Sequence, residues 1–330
     1  MAADPYARAS DAGIHRLSIP TPFAVGRVNT YLIEDDPLTL VDSGPNSGRA
    51  LDQLQQRLRE HGHAIEDIEL ILVTHQHIDH IGLVEIIASH SNAEVAAIEA
   101  AVPFVEHYSQ AAADDDRFAM DLMVRHGIPE DVARALGSVS AAFRGWGASA
   151  KITRVLQDGD TIELRDRTLK VGFRPGHSPS DTVFEDADRK ILLAADHLLG
   201  HISSNPLIVR PRDGSERPQA LVTYMDSLRK TREMDVDLVL PGHGDPITDH
   251  RTVIDQRFEM HRRRAEKLYG LIDERPRTAH ELAQALWGNI AVTQAYLTLS
   301  EVLGHTDLLA NDGRVTEVDD NGVVRFVTVK

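Results

Sequence analysis

The chain has 330 residues, of which 42% are hydrophobic and 26% charged, and its formal net charge is −16. This length can form more than one packed core, and the negative charge disfavours general attraction to nucleic acid or anionic lipid. The absence of cysteine excludes disulfides, thiolate nucleophiles and sulfur-ligated metals, so any metal must bind imidazole and carboxylate groups. Neither a secretory leader nor an apolar run of membrane-spanning length is visible, and we expect a cytoplasmic protein that does not bind membranes.

The first hundred residues indicate an α/β fold. A hairpin is predicted over residues 28–34 and 38–41, and an amphipathic helix over 47–61. Residues 68–73 form a continuous apolar run, as in a strand buried on both faces. A helix starting near residue 82 follows. Further strands are predicted at 93–98, 151–156, 161–164, 169–174, 182–184, 190–195 and 238–240.

Two other regions have helical patterns. Residues 100–149 are predicted to be a helical insertion, either a cover over a site or a packing subdomain. Beyond a long polar helix from about residue 249, Thr278 and Glu281 match a capping box that begins a helix over 279–286. A second helix over 292–303 and a hairpin ending at residue 329 follow. We therefore predict a catalytic domain over 1–260, including the insertion, and a small winged-helix-like domain over 261–330.

The strongest chemical signal is the cluster of His75, His77, Asp79 and His80, directly after the apolar strand. Imidazole and carboxylate groups are preferred ligands of zinc, iron and manganese. Residues 75 and 77 project to one side of an extended segment, so they can face one ion. Asp79 and His80 come one turn later and can face a second ion. Without a metal, this many polar groups at a buried strand end would be costly to desolvate.

Three more candidate ligands follow predicted strands. They are His177 in a Pro-Gly-His-Ser turn, Asp196 at the end of an apolar run, and His243 in a Pro-Gly-His-Gly turn. Each is weak evidence alone, but strand ends at one edge of a sheet place their side chains on the same rim.

The segment from Thr74 to Gly82 resembles the HxHxDH signature of the metallo-β-lactamase superfamily. Asp42 resembles the aspartate of the family's first motif, and His177, Asp196 and His243 fall in order on its later motifs. The resemblance spans residues 14–245. It departs from the family at Leu83 and Ala195, where glycine is frequent, and neither departure removes a ligand.

This resemblance implies an αββα four-layer sandwich that holds two divalent metal ions, zinc first, with iron or manganese as alternatives. It implies one ion on His75, His77 and His177 and a second on Asp79, His80 and His243. Asp196 would bridge the ions. Asp42 would support, by hydrogen bonding, the segment from Thr74 to Gly82, which is called the metal loop below. Asp79 and His80 are also candidate catalytic residues, because a metal-bridged hydroxide would form beside them. On the loop after Asp196, His201 and Asn205 are candidate substrate contacts.

The domain order resembles the β-lactamase-like protein 2 and glyoxalase II-like group. This favours a hydrolase that acts on a small acyl substrate with a thioester or ester bond. The alternatives are a metal-dependent ribonuclease, a mononuclear-iron oxidoreductase similar to persulfide dioxygenases, and a lactonase or β-lactamase. Nucleic acid is disfavoured because the predicted helix at 292–303 carries no lysine or arginine. The C-terminal domain is then a packing or dimerisation element, and a homodimer is one expectation.

Overall fold

The computed structural model describes residues 4–212, 217–290 and 294–329. The chain divides into two compact units. The first contains Met1–Ala112, Phe143–Ser204 and Thr231–Arg251. The second contains Ala113–Ala142, Asn205–Lys230 and Thr252–Lys330.

The strands are β1 (Ile14–Ile19), β2 (Val28–Ile33), β3 (Thr39–Val41), β4 (Leu70–Val73), β5 (Glu94–Ile98), β6 (Arg154–Leu156), β7 (Thr161–Glu163), β8 (Thr168–Phe173), β9 (Thr182–Asp186), β10 (Ile191–Ala195), β11 (Leu238–Pro241), β12 (Val315–Asp320) and β13 (Val323–Thr328). The α-helices of the described residues are α1 (Ala7–Asp11), α2 (Gly48–Glu60), α3 (Ile78–Ile81), α4 (Val84–Ser91), α5 (Val102–Val105), α6 (Tyr108–Arg125), α7 (Glu130–Phe143), α8 (Ala220–Arg232), α9 (His250–Glu274), α10 (Ala279–Trp287) and α11 (Ala295–Asn311). Among these described helices, none has both the length and the apolar character needed to cross a membrane.

Two sheets form the first unit. One has the strand order β1-β2-β3-β4-β5-β6, and the other has the order β11-β10-β9-β8-β7. Their inner faces share one apolar core, which contains Leu72 of the first sheet and Leu193 of the second. Helices flank the sheets: α2 buries Leu54 and Leu58 in the same core. The predicted α/β architecture with helices outside two sheets is confirmed.

Strand direction brings the candidate ligands to one edge. β3 and β4 are parallel neighbours in the first sheet, and β10 and β11 are parallel neighbours in the second. Asp42, His75, Asp196 and His243 each follow the last residue of one of these four strands within two residues. Polar groups commonly gather at this end of parallel strands, since the strands' carboxyl ends meet there. His177 reaches the same place from the turn between β8 and β9.

The helix predicted to start near residue 82 is α4, which begins at Val84, and a separate short helix precedes it. α3 starts at Ile78, with His77 at its N-cap position, and it therefore contains Asp79 and His80. Gly82 lies between α3 and α4, and a Cβ there would stand 2.1 Å from the backbone nitrogen of Asn46. Glycine thus lets the metal loop approach the neighbouring turn closely, and the helical pattern is interrupted at that residue.

The second unit has its own apolar core. Its buried side chains include Leu122, Met123, Ile128, Ala133, Leu268, Leu282, Leu299, Leu303 and Phe326. The observed division therefore differs from the predicted boundary at residue 260, because the middle of the insertion packs with the C-terminal helices. His126 lies in this core, stacked on the ring of Phe326 with planes 6° apart. Burial, and then the charge of Arg217, lower the pKa of His126 to about 3.

The C-terminal elements follow the predicted order of two helices and a hairpin. The capping box is confirmed, because Glu281 N–H donates to Thr278 Oγ1 and Thr278 N–H donates to Glu281 Oε2. The second helix, α11, extends to Asn311 rather than 303, while residues 292–293 of the predicted helix lie outside the described residues. The β12–β13 turn has Asn321 and Gly322 at positive φ, as a two-residue hairpin requires. Whether this domain is a winged helix stays a prediction.

Candidate metal centre

Asp42 connects strand β3 to the histidine cluster. Its carboxylate accepts hydrogen bonds from the Thr74 backbone N–H at 2.9 Å and from the Thr74 hydroxyl at 2.7 Å. The same carboxylate lies 2.7 Å from Nδ1 of the buried His80. An anionic acceptor at this distance keeps a hydrogen on Nδ1, so Nε2 is the nitrogen of His80 that can bind an ion in place of its proton. The residue at 42 has φ +59, a conformation that aspartate tolerates better than most residues.

Three histidines form the first candidate set. His77 Nδ1 lies 3.1 Å from His75 Nε2 and 3.0 Å from His177 Nε2. Tetrahedral nitrogen ligands about 2.0–2.1 Å from one zinc ion would stand roughly 3.3 Å apart, close to these separations. His75 Nδ1 is 3.0 Å from the Thr74 hydroxyl, which can accept its hydrogen and leave Nε2 with a lone pair. The three ring nitrogens therefore suit one ion.

Asp79, His80 and His243 form the second candidate set, and all three are buried. His243 Nε2 lies 3.3 Å from Asp79 Oδ2, while His243 Nδ1 is 2.9 Å from the carbonyl oxygen of Arg27. That carbonyl can only accept, so it orients His243 as Asp42 orients His80. Both rings then direct Nε2 into the site.

Asp196 lies between the two sets. Its Oδ2 is 3.6 Å from Nε2 of His177 in the first set and 3.5 Å from Nε2 of His243 in the second. Its Oδ1 is 3.6 Å from Nε2 of His80. Within the described part of the chain, no hydrogen-bond partner is found for three of these buried atoms: Oδ1 of Asp196 and Nε2 of His80 and His243. Buried polar atoms are rarely left unpaired, and divalent cations near these atoms would satisfy them.

The electrostatics of the site favour neutral rings at His75 and His77 and added positive charge beside His80. Burial, and then the neighbouring imidazole of His80, hold the pKa of His75 well below its usual range. Burial followed by His177 lowers the pKa of His77 to about 3. Burial opposes the charged form of His80 too, yet the carboxylates of Asp42 and Asp196 hold its pKa well above the usual range. The carboxylates therefore attract a cation to this part of the site.

The turn that carries His243 is held by residues that sequence reasoning missed. The Tyr31 hydroxyl donates to the Pro241 carbonyl at 2.6 Å, and the Asn29 side-chain amide donates to the same oxygen at 3.0 Å. A Cβ on Gly242 would stand 2.2 Å from Asp196 Oδ1, so only glycine fits beside the candidate bridging carboxylate. The Pro-Gly-His-Gly turn indicates His243 in the sequence. Asn29 and Tyr31 hold this turn from strand β2, which is far away in the sequence, so no local pattern indicates them.

The two departures from the family pattern have different physical meanings. Ala195 has φ +42, in the left-handed region that glycine adopts without strain, so glycine would be easier there. Leu83 has φ −101 and is buried, so its position does not require glycine.

The two predicted substrate contacts lie in different units. In the first unit, the His201 ring lies against Gly244, where a Cβ would stand 2.6 Å from His201 Nδ1. This places His201 beside the His243 turn. Asn205 belongs to the second unit, where its side-chain amide donates to the Leu297 carbonyl at 3.1 Å. Both substrate roles stay predictions.

The family model of the metallo-β-lactamase superfamily matches residues 24–243, which include the whole set of candidate ligands. The chain belongs to the metallo-β-lactamase superfamily. It is 34% identical to the probable metallo-hydrolase YqjP of Bacillus subtilis over 315 residues, covering 95% of this chain and 97% of that protein. A solved metallo-β-lactamase family protein from Thermus thermophilus aligns with a TM-score of 0.80 and 26% identity, covering 96% of this chain and 99% of that one.

Two further relatives bear on the expected subgroup. A β-lactamase-like protein 2 homologue of Caenorhabditis elegans is 22% identical over 274 residues, covering 82% of this chain and 74% of that protein. The acyl-coenzyme A thioesterase MBLAC2 of Bos taurus is 45% identical over 64 residues, which cover 18% of this chain and 23% of that protein. The predicted resemblance to the β-lactamase-like protein 2 group is thus confirmed, and the chain is a metallo-hydrolase family member with thioesterase relatives.

Proposed function

We propose that this protein is a binuclear metal-dependent hydrolase that cleaves thioesters of acyl groups. The observation that supports it most is the position of Asp196, whose carboxylate lies within 3.6 Å of ligand nitrogens in both candidate sets. A carboxylate between two sets of imidazoles is the arrangement expected of a ligand shared by two ions.

Two adjacent divalent ions, when bound, lower the pKa of water and polarise a carbonyl oxygen. The chain's own contribution is to hold seven ligands in fixed orientations. Asp42, Thr74 and the Arg27 carbonyl set the tautomers of the rings they contact. Asp79 keeps one carboxylate oxygen near His243 Nε2 and is the candidate for receiving or returning a proton during hydrolysis.

The thioester part of the proposal draws on relatives and on apolar groups near the site. The acyl-coenzyme A thioesterase of Bos taurus shares a short, more similar segment with this chain. In the first unit, Gly147 packs against Ile78 of the metal loop, and nearby Phe143 is 39% exposed. The Phe143 ring lies 5.8 Å from that of Phe23. An exposed ring packed on the half-buried Phe23 is an apolar surface that suits an acyl chain.

The ribonuclease alternative has less physical support. Helix α11 carries no lysine or arginine, and most of its residues from Thr298 to Leu309 are buried. A buried helix without basic side chains cannot supply phosphate contacts along a nucleic acid.

The test is a panel of substrates given to the metal-loaded protein: acyl-coenzyme A thioesters, S-lactoylglutathione, lactones and single-stranded RNA. We expect thioester hydrolysis, and we expect Asp196→Ala to abolish it while the protein stays folded by circular dichroism. Asp186→Asn alters a buried carboxylate that accepts from Arg189 and serves as the matched control. Cleavage of RNA alone, or unchanged turnover by Asp196→Ala, would overturn the proposal.

A further inference from the structure

A second group of metal-binding side chains lies in the first unit, away from the centre described above. It consists of His15 on β1, Glu34 after β2, and His61 and His63 after α2, and it is called the His–Glu cluster below. Ligand atoms of His15, Glu34 and His61 lie within 4.8 Å of one another. His63 Nε2 lies 3.6 Å from Glu34 Oε1. These residues are spread over 49 positions of the chain, so the fold assembles the cluster.

The cluster is remote from the catalytic candidates. Strand β2 begins at Val28, which forms a bridge with His243, and ends at Ile33, directly before Glu34. Six residues of extended strand span about 20 Å. The His–Glu cluster and the candidate metal centre therefore lie at opposite ends of the same strand.

The contact between His15 and Glu34 suits shared coordination better than a hydrogen bond. His15 Nε2 is 2.9 Å from Glu34 Oε2, yet the direction is wrong for an N–H···O bond. This ring nitrogen is buried and has no hydrogen-bond partner among the described residues. Two ligands of one ion commonly stand at about 3 Å without pointing at each other.

The end of α2 adds a further attraction for a cation. Helix α2 has 13 residues, and its C-terminal carbonyls carry a partial negative charge. Gly62, at φ +81, reverses the chain there, so that His61 and His63 both stand beside the helix end. The side chains of Glu34 and His63 keep 39% and 29% of their surface exposed, which leaves an ion a path from solvent.

We propose that the His–Glu cluster binds one divalent transition-metal ion of the zinc class and ties the β1–β2 hairpin to the end of α2. Imidazole and carboxylate donors in this number match the ligands of zinc sites. The site has no part in the hydrolysis proposed above, so either proposal can fail without the other.

The experiment uses the full chain with its tightly held metals in place. The protein is dialysed against zinc chloride, and bound zinc is counted by elemental analysis. We expect one more ion per chain than in protein passed over a chelating resin. Glu34→Gln and the double variant His61→Gln, His63→Gln should lose that ion and keep wild-type hydrolase activity. His90→Gln is the matched control, because His90 is exposed on α4 and its Nδ1 contacts the Ile86 carbonyl.

Thermal unfolding gives a second readout. Added zinc should raise the Tm of the wild type and of His90→Gln, since an ion that binds only the folded state stabilises it. The cluster variants should show no zinc-dependent rise. Equal zinc content and equal Tm shifts in all four proteins, or no extra ion in the wild type, would overturn the proposal and leave ordinary His–Glu ion pairs.

Discussion

Substituting Asp42 by asparagine isolates the effect of one carboxylate oxygen on the metal centre. The carboxylate accepts from Thr74 N–H, the Thr74 hydroxyl and His80 Nδ1, at 2.9, 2.7 and 2.7 Å. Asparagine keeps one oxygen and replaces the other with an amino group that cannot accept from Nδ1–H. With the amino group facing His80, the hydrogen of that ring moves to Nε2, where the lone pair for the second ion is needed. With the opposite amide orientation, the amino group faces the Thr74 N–H, which then loses its acceptor. Asparagine also tolerates the positive φ of this residue, so the backbone need not change.

The expected loss can be given a size. Removing the hydrogen-bond partner of a metal-ligating histidine lowers metal affinity or activity by about 10- to 100-fold, equivalent to about 1.4–2.7 kcal/mol. The asparagine variant should lose affinity mainly for the ion near Asp79, His80 and His243. The ion near His75, His77 and His177 should stay bound more tightly, because its ligands keep their orientation.

The assay is competition with a chelator of known affinity, alongside kcat/KM for the best thioester. Asp186→Asn is the control, because Asp186 is also a buried carboxylate of the first unit but contacts none of the candidate ligands. Thermal unfolding checks that both variants fold. Wild-type metal affinity in Asp42→Asn, or an equal loss in Asp186→Asn, would refute the argument that Asp42 sets the tautomer of His80.

Three other substitutions test the close approach at Gly242, the apolar surface at Phe143 and the buried ring of His126. Gly242→Ala should reduce kcat/KM by at least about tenfold, because its Cβ would lie 2.2 Å from Asp196 Oδ1. Gly270→Ala is the control and should keep full activity, because a Cβ there meets nothing within 4 Å. Equal activities of the two variants would contradict the close approach. Phe143→Ala should raise KM for a long-chain thioester about five- to tenfold, and an equal rise for an acetyl thioester would argue against an acyl contact. His126 has a folded-state pKa of about 3, so between pH 6.5 and 3 only the unfolded chain takes up its proton. Stability should therefore fall as pH falls, by up to about 1.4 kcal/mol per pH unit, and urea midpoints of His126→Phe should show a shallower slope. An unchanged slope would count against a neutral buried ring.

The candidate ligands that the sequence indicates most directly are those that follow apolar strands. Asp42, His75, Asp196 and His243 could be found because a buried strand has a readable pattern and its carboxyl end has a known place in a sheet. The family resemblance then supplied their order. The groups that orient these side chains could not be found in this way. The backbone carbonyl of Arg27, which orients His243, is one example, because every residue has such a carbonyl and the sequence does not single it out.

Other features depend on contacts between distant segments. Nothing local indicates that Ala113–Ala142 joins the unit of the C-terminal helices, because this is decided by the core that its side chains share with Leu282 and Leu303. The start of α3 at Ile78 was missed because the ligand pattern there looks extended as far as His77. The His–Glu cluster is likewise invisible to local pattern reading, since its members come from two strands' ends and a helix end.

The proposed hydrolase centre depends on Asp196 as a ligand shared by two adjacent metal ions. The most direct measurement is elemental analysis of the purified chain after loosely held ions have been removed on a chelating resin, for the wild type and Asp196→Ala. We expect two ions per wild-type chain, mainly zinc, and a loss of at least one ion in the variant. A single iron without zinc in the wild type, or two ions retained by Asp196→Ala, would contradict it.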